Sequence, residues 1–340
     1  MTRTVLVLTQ PDDYHVQLTS AALRRRGARV VEFHTADFPT LDRLRVQLDQ
    51  GRPHGDLVLG RNGERLDLAD VTSAWFRRPE RAQLPDWPPA VHKFAAREVD
   101  HALTGLWTAL DWFWVSRPDR IAVASYKLPQ LGWASAVGLR VPATIVTSDP
   151  DQARQFYEEH AGQIVYKTLY LGSVNYTPTS IGVIYTTPIT PGHFRALQRV
   201  SVVPCLFQEY VPKRLELRVT VIGDAVLTVA IDSQATERTR HDWRRYDPHT
   251  PYFAYPLPEH ISAACRRLVR GLGLEFGAID LIVRPDGEYV FLEINPNGQW
   301  AWLEPLSGLP FTDTLADLLM AGKRGVDRTT IAPGIPEGVA

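Results

Sequence analysis

The sequence has few cysteines, almost no net charge and no long apolar run, and each absence excludes a class of protein. Its two cysteines, Cys205 and Cys265, lie far apart. This excludes a disulfide framework and a cysteine metal site, and predicts a reducing, cytoplasmic setting. Lys and Arg total 37 against 38 Asp and Glu, whereas nucleic-acid-binding domains carry a basic excess. The apolar run 4–8 is too short for a signal peptide, and the stretch 103–115 is too short to span a bilayer. We therefore expect neither a nucleic-acid nor a membrane partner.

The composition is that of a globular protein, with 44% hydrophobic and 22% charged residues among 340. Strand, helix and strand patterns at 4–8, 16–26 and 28–33 predict that the chain opens with a βαβ unit. The whole pattern indicates an α/β fold class. Shifts in the pattern predict three units and a tail with too little apolar surface to fold: residues 1–120, 121–200, 201–327 and 328–340.

A turn signal near the C-terminus predicts a β-hairpin. The residues of 285–287, Pro-Asp-Gly, lie between two apolar strand patterns. If Arg284 and Tyr289 flank the turn, Asp280 lies directly across from Glu293. The two carboxylates would then face each other on otherwise apolar strands.

The same register predicts a metal site. Asn295 follows Glu293 by two residues and therefore shares its face of the sheet. Like charges in opposite positions repel, so the carboxylate of Asp280 and that of Glu293 need a counter-charge. Oxygen ligands of this kind suit Mg²⁺ shared with nucleotide phosphates. The alternative is that both carboxylates point into solvent on an exposed face.

This set of residues resembles the ATP-grasp superfamily of carboxylate–amine ligases over residues 121–322. The resemblance implies an ATP-grasp fold preceded by a βαβ pre-ATP-grasp domain, with ATP and two Mg²⁺ ions as cofactors. Asp280, Glu293 and Asn295 correspond to the superfamily's metal ligands. The nucleotide-binding positions, by the same resemblance, are Lys127, Lys167, Gln208, Glu209, Tyr210, Val211 and Glu216.

Each of these roles has a physical reason and an ordinary alternative. Lysine point charges suit the phosphates, although both lysines could lie at the surface. The Glu209 carbonyl and Val211 amide would contact the adenine edge, and Glu216 would accept from the ribose, unless 208–211 is simply a strand exit. Arg218 shares the strand face of Glu216 and would neutralise the transferred phosphate, unless the two form a surface ion pair. The loop after Lys167 is expected to close over the phosphates as a lid.

A narrower likeness rests on two short motifs. Residues 75–79, Trp-Phe-Arg-Arg-Pro, and 295–300, Asn-Pro-Asn-Gly-Gln-Trp, are similar to motifs of the graspetide synthetases. These enzymes join side chains of a ribosomal precursor peptide, and the likeness implies such a peptide as partner and a homodimer. Arg77 and Arg78 would then contact an acidic substrate, or form a solvated patch. In the polar loop 241–246, Arg244 is expected to serve catalysis and Arg245 to contact substrate, unless that loop is only solvated.

The resemblance implies a specific reaction. A side-chain carboxylate would be activated by ATP as an acyl phosphate and captured by a Thr or Ser hydroxyl or a Lys amine, forming a macrocycle. Two alternatives remain at this stage. One is a ligase like RimK or glutathione synthetase, which adds a free amino acid, and the other is an ATP-binding module without catalysis.

Overall fold

The computed structural model describes residues 2–170, 172–177 and 180–322. The expected loose tail, 328–340, lies outside the described residues. The described strands are β1 (Thr4–Thr9), β2 (Arg29–His34), β3 (Arg43–Asp49), β4 (Arg52–Leu59), β5 (Glu64–Asp67), β6 (Val71–Phe76), β7 (Phe113–Val115), β8 (Thr144–Thr147), β9 (Ile164–Lys167), β10 (Ser173–Thr177), β11 (Ser180–Val183), β12 (Thr187–Pro188), β13 (Cys205–Glu209), β14 (Leu215–Ile222), β15 (Ala225–Ile231), β16 (Tyr252–Ala254), β17 (Phe276–Val283) and β18 (Tyr289–Asn295).

The described helices are α1 (Tyr14–Arg25), α2 (Pro89–Ala109), α3 (Pro118–Ala124), α4 (Lys127–Ala136), α5 (Pro150–Glu159), α6 (Pro191–Phe194), α7 (Glu259–Gly271), α8 (Leu303–Ser307) and α9 (Phe311–Ala321). No helix of the described part is both long and apolar enough to cross a membrane.

The first unit contains a parallel sheet in the order β2-β1-β6-β7. The apolar run of β1 is fully buried. Asp13 caps the start of α1, because its side chain accepts the backbone N–H of His15 at 2.9 Å. After α1, Gly27 adopts φ +80°, a left-handed conformation that terminates the helix before β2. The predicted βαβ opening is confirmed. A second sheet of this unit contains β3, β4 and β5, and the turn at Asn62 and Gly63 connects β4 to β5.

The second unit is an antiparallel sheet in the order β12-β9-β13-β8. Helix α5 covers it through a small core that includes Phe156, Ile164 and Phe207. Strand β9 ends at Lys167. Beyond it lies the hairpin β10–β11, where the sequence had indicated a loop.

The third unit is an antiparallel sheet in the order β16-β15-β14-β17-β18. Leu217 and Val219 on β14 point to the face covered by α4 and α7, where Ile279 and Leu268 complete the main core. Alternate residues point to the opposite face, where the charged side chains lie. Toward Ile222 and Phe276, the face that carries the charged side chains packs against α9 and the first unit.

The hairpin β17–β18 pairs Asp280 with Glu293 as predicted, by a different route. The turn is one residue tighter than expected, because the N–H of Arg284 bonds the carbonyl of Glu288 at 2.9 Å. A bulge at Leu292 adds the missing residue, since Leu281 pairs with Phe291 while Asp280 pairs with Glu293. The two differences cancel at the site.

Candidate active site

A row of alternating charges crosses three neighbouring strands and ends on a helix. Arg218 on β14 lies opposite Asp280 on β17, which lies opposite Glu293 on β18. Arg218 Nη1 donates to Asp280 Oδ1 at 2.9 Å. Lys127, the first residue of α4, pairs with Glu293 Oε2. Each carboxylate therefore has its own protein cation, and the counter-charge that the sequence analysis calls for is present in the protein itself.

The environment shifts the two carboxylates in opposite directions. Burial raises the pKa of Asp280, and the guanidinium of Arg218 offsets this only in part. Burial also acts to raise the pKa of Glu293, but the positive charges of Lys127 and Lys167 outweigh it and hold that pKa below its usual range. Burial lowers the pKa of Lys167 to about 8. The ionised form of Glu293 is thus strongly favoured in the folded protein.

These residues line one cleft of about 370 Å³ between the second and third sheets. This volume is within the range of small-ligand sites. Eleven of the candidate residues named from the sequence line the cleft: Lys127, Lys167, Gln208, Glu209, Tyr210, Val211, Glu216, Arg244, Asp280, Glu293 and Asn295. Arg218 lies behind this lining and is paired with Asp280.

The segment 208–211 forms the junction between the two sheets. Gln208 is buried, and its Nε2 donates to Thr144 Oγ1 at 3.0 Å. The carboxylate of Glu209 lies 3.5 Å from Arg140. These contacts occupy the side chains, so a ligand at this edge would meet the backbone of the segment.

Glu216 lies deep in the cleft with a partner that sequence reasoning missed. Lys213 Nζ donates to Glu216 Oε1 at 2.7 Å and to the carbonyl of His241 at 3.1 Å. Both side chains of the pair are less than a tenth exposed. The only sequence signal was the three-residue spacing between them. A ligand hydroxyl at Glu216 would share this carboxylate with Lys213.

The loop after β15 brings a second set of side chains to the cleft. Arg244 Nε and Nη2 donate to both oxygens of Asp242, at 2.8 and 2.6 Å. The ring of Trp243 lies 5.5 Å from the Arg218 guanidinium and stacks on Trp302. Arg218 Nε is buried and has no hydrogen-bond partner within the described chain. No sequence pattern singled out Asp242 or Trp243 beyond their position in a polar loop.

Arg77 lies away from the surface position that the sequence analysis expects for it. The Arg77 side chain is 2% exposed and its Nε donates to Asp13 Oδ2 at 3.2 Å, so the side chain does not face a peptide surface. Burial lowers its pKa to about 10. Arg78, its neighbour, remains partly exposed. Arg245 stacks over Tyr185 at 5.2 Å, at the rim of the cleft.

The donor set fits Mg²⁺. Two carboxylates and the exposed amide of Asn295 face one region of the cleft, and Asn295 Oδ1 also accepts the N–H of Asn297 at 3.0 Å. Among the described residues, no three His, Cys, Asp or Glu side chains form a metal-binding cluster. Mg²⁺ needs only one or two carboxylates from the protein, because waters and phosphates complete its coordination shell.

Comparison with known proteins agrees with this geometry. Residues 4–122 match the family described as the MvdD pre-ATP grasp domain. No curated protein sequence matches the chain. Among solved structures, the chain is similar to macrocyclase MdnC from Microcystis aeruginosa MRC, determined with precursor peptide MdnA bound. The two are 30% identical over 94% of this chain and 99% of that one, with a TM-score of 0.82.

Two further structures are similar over nearly the whole chain. Macrocyclase MdnB of the same organism is 30% identical, covering 94% of this chain and 100% of that one, with a TM-score of 0.76. An ATP-grasp ligase from Chryseobacterium gregarium, associated with ribosomally synthesised and modified peptides, holds ADP and a leader and core peptide. It is 25% identical, covering 96% and 100%, with a TM-score of 0.86.

The fold and the charged cleft define an ATP-grasp ligase, an ADP-forming enzyme. At 30% identity over the full length of the macrocyclases, the chain belongs to the family of peptide-modifying ATP-grasp ligases known as graspetide synthetases.

Proposed function

We propose that this ligase closes macrocycles in a ribosomal precursor peptide, using ATP and Mg²⁺. It activates Asp or Glu side chains of the peptide and couples them to Thr or Ser hydroxyls or Lys amines. The observation that carries the proposal is the cleft in which Lys127, Lys167, Arg218 and Arg244 surround two opposed carboxylates. The similarity to MdnC, determined with its precursor peptide, supports a peptide as the substrate.

The nucleotide would lie between the second and third sheets. Lys127 and Lys167 supply positive charge for its phosphates, and the backbone of 208–211 offers hydrogen bonds to the adenine edge. Glu216 accepts from the ribose hydroxyls. Burial lowers the pKa of Lys167 to about 8. Nearby negative phosphates would raise this pKa again and so favour the charged form of the lysine.

Asp280, Glu293 and Asn295 would hold Mg²⁺, which neutralises the phosphate oxygens during transfer. Their placement on one rigid hairpin fixes the three oxygens relative to the sheet. Arg218, held by Asp280 on one side and by the ring of Trp243 on the other, directs its guanidinium at the same region. Arg244 adds a second guanidinium from the loop that follows β15.

The reaction then has two steps. A carboxylate oxygen of the peptide attacks the γ-phosphorus, the bond to ADP breaks, and an acyl phosphate forms. A hydroxyl or amine attacks the acyl carbon, phosphate leaves, and one proton is released. The peptide loses one water per linkage. The chain's own residues bind, orient and neutralise charge, and they form no covalent bond to the substrate.

A mass measurement tests the proposal. The protein is incubated with ATP, Mg²⁺ and a candidate precursor peptide that contains Asp or Glu together with Thr, Ser or Lys, and the product is expected to lose the mass of one water per ring. A product heavier by one amino acid would instead show a ligase like RimK. Absence of ADP formation with every acceptor would show a nucleotide-binding module.

The setting of the reaction belongs to the same proposal. Both cysteines are free, which fits a reducing cytoplasm, and the family resemblance gives a homodimer. Sedimentation of the purified protein measures the oligomeric state.

A further inference from the structure

A buried cluster of one carboxylate, one imidazole and one guanidinium connects the first unit to the segment that follows Asn295. The cluster consists of Asp13 and His15 at the start of α1 and Arg77 at the end of β6, each less than a tenth exposed. It contacts the backbone of residues 297–301, which we call the post-metal loop. The proposed metal ligand and the first unit thus share one hydrogen-bond network.

Arg77 holds the beginning of the post-metal loop. Its Nη1 donates to the carbonyl of Asn297 at 2.9 Å and to that of Gly298 at 3.4 Å. Its Nε donates to Asp13 Oδ2 at 3.2 Å. A guanidinium can serve both directions at once because its donors form a rigid planar fork.

His15 holds the end of the same loop. Its Nε2 accepts the N–H groups of Trp300 at 3.1 Å and of Ala301 at 3.2 Å. Nδ1 lies 3.3 Å from Asp13 Oδ1. An Nε2 that accepts two hydrogen bonds carries no proton, so His15 is neutral with its proton on Nδ1, facing Asp13. Asp13 therefore orients both the histidine and the arginine.

The post-metal loop has little room to move. A Cβ on Gly298 would lie 2.3 Å from the Cβ of Ala278, which is the partner of Asn295 on β17. Trp300 is fully buried, stacked on Phe311 and edge-on to His15. A small shift of the loop would therefore displace the strand end that carries the metal ligand.

We propose that Asp13, His15 and Arg77 are positioning residues of the first unit, which fix the post-metal loop and, through it, the Asn295 amide in the geometry that Mg²⁺–nucleotide binding needs. The inference rests on the proposed function of Asn295. It also assigns a role to Arg77 that differs from substrate contact: the first unit completes the metal site from outside the cleft.

The physical argument is one of cost. Carbonyl and N–H groups that are buried must be hydrogen-bonded, because a group that loses its partner there keeps the full cost of having left water. Without the cluster, the loop could satisfy these groups only by moving toward water. Residues that orient metal ligands typically change metal affinity by about tenfold or more when they are removed.

The experiment measures ADP binding to the full chain by calorimetry across a series of Mg²⁺ concentrations. The variants are Arg77→Lys, His15→Leu and His15→Gln, and the matched control is Arg81→Ala, an exposed arginine on the same segment. Glutamine keeps an acceptor oxygen for the two N–H groups, whereas leucine leaves both unpaired. Thermal melting without ligand reports the fold of each variant.

We expect Arg77→Lys and His15→Leu to raise the Mg²⁺ concentration for half-maximal ADP binding by about tenfold, with Mg²⁺-free ADP binding within about twofold of wild type. His15→Gln should lie nearer to wild type, and Arg81→Ala should match it. An unchanged Mg²⁺ requirement, or an equal loss of Mg²⁺-free binding, would overturn the inference. A wild-type protein whose ADP binding ignores Mg²⁺ would instead contradict the proposed metal site itself.

Discussion

Asp242 in the third unit accepts the backbone N–H of Thr186 in the second unit, at 2.9 Å. The same carboxylate, 3% exposed, holds the guanidinium of Arg244 with two hydrogen bonds. Asp242 therefore connects the two sheets that enclose the cleft and, at the same time, orients one of its cations. The pKa of Asp242 is lowered, because hydrogen bonds from Arg244 and Thr186 outweigh the effect of its burial.

The first prediction concerns this contact. Asp242→Asn keeps the size of the side chain but removes the charge and one acceptor of the pair with Arg244. We expect product formation to fall at least about tenfold and the free energy of unfolding to fall by about 1–3 kcal/mol. Asp151→Asn makes the same change at an exposed pair with Arg154 and should change stability by less than about 0.5 kcal/mol. Equal product formation and equal stability of the two variants would show that the contact across the cleft does not contribute to function.

The second prediction concerns the metal face. Glu293→Gln should abolish product formation, since an amide binds Mg²⁺ far less well than a carboxylate. The repulsion between Asp280 and Glu293 alone would make this variant more stable. Because Lys127 and Lys167 hold the pKa of Glu293 below its usual range, we expect the metal-free variant to be less stable by about 1–2 kcal/mol.

Thermal melting in a metal chelator measures this change. The matched control is Glu288→Gln on the same hairpin, where the carboxylate is paired with Arg140 at the surface. It should keep activity and stability. A metal-free Glu293→Gln protein that melts above wild type would show that repulsion by Asp280 dominates after all.

The third prediction tests the close approach at Gly298. Gly298→Ala should lower the free energy of unfolding by about 1–3 kcal/mol and weaken Mg²⁺-dependent ADP binding, because its Cβ would collide with that of Ala278. Adding Ala278→Gly removes the opposing atom and should restore binding. At Gly105, in helix α2, a Cβ meets nothing within 4 Å. Gly105→Ala should therefore stabilise the protein slightly. Failure of Ala278→Gly to restore binding would contradict the steric explanation.

The fourth prediction is a pH dependence of stability through His15. Its pKa is lowered by burial and by the positive charge of Arg77, although Asp13 opposes this. The folded state therefore takes up a proton less readily than the unfolded chain. The stabilisation should be complete above the ordinary pKa of 6.5 and should be lost as the pH falls below it.

His15→Gln isolates this effect, since glutamine does not titrate. Melting temperatures of both proteins at pH 7.5 and pH 5.5 (about one unit either side of the ordinary value) should show a steeper loss for the wild type. Parallel losses would show that His15 takes up a proton in the fold without cost.

The core of the site was predictable from the sequence because strand alternation and one turn signal determine which residues face each other. Asp280 and Glu293 are opposed as expected, even though the turn was assigned one residue too long. The position of Arg77 was not predictable. A run of two arginines after an aromatic strand does not indicate which of the two is buried. Arg77 is the buried one because it pairs with Asp13, sixty-four residues earlier.

The remaining partners depend on contacts between distant segments. Asp242 and Trp243 lie in a loop without periodicity, so only the fold shows that they reach Thr186 and Arg218. The pairing of Lys127 with Glu293 joins a helix start to a strand end 166 residues later. Sequence spacing could name these lysines and carboxylates as candidates, but it could not reveal which of them neutralise each other.

The bulge at Leu292 has a consequence for what the cleft can hold. In a regular strand, Leu292 and Glu293 would point to opposite faces of the sheet. Because two residues here oppose one, both side chains line the cleft. Leu292 packs in the small cluster with Ile282 and Val211. One extra residue therefore places an apolar surface of the cleft directly beside its charged carboxylates. Neighbouring positions of a single strand can then contact a flat aromatic base and a chain of phosphates.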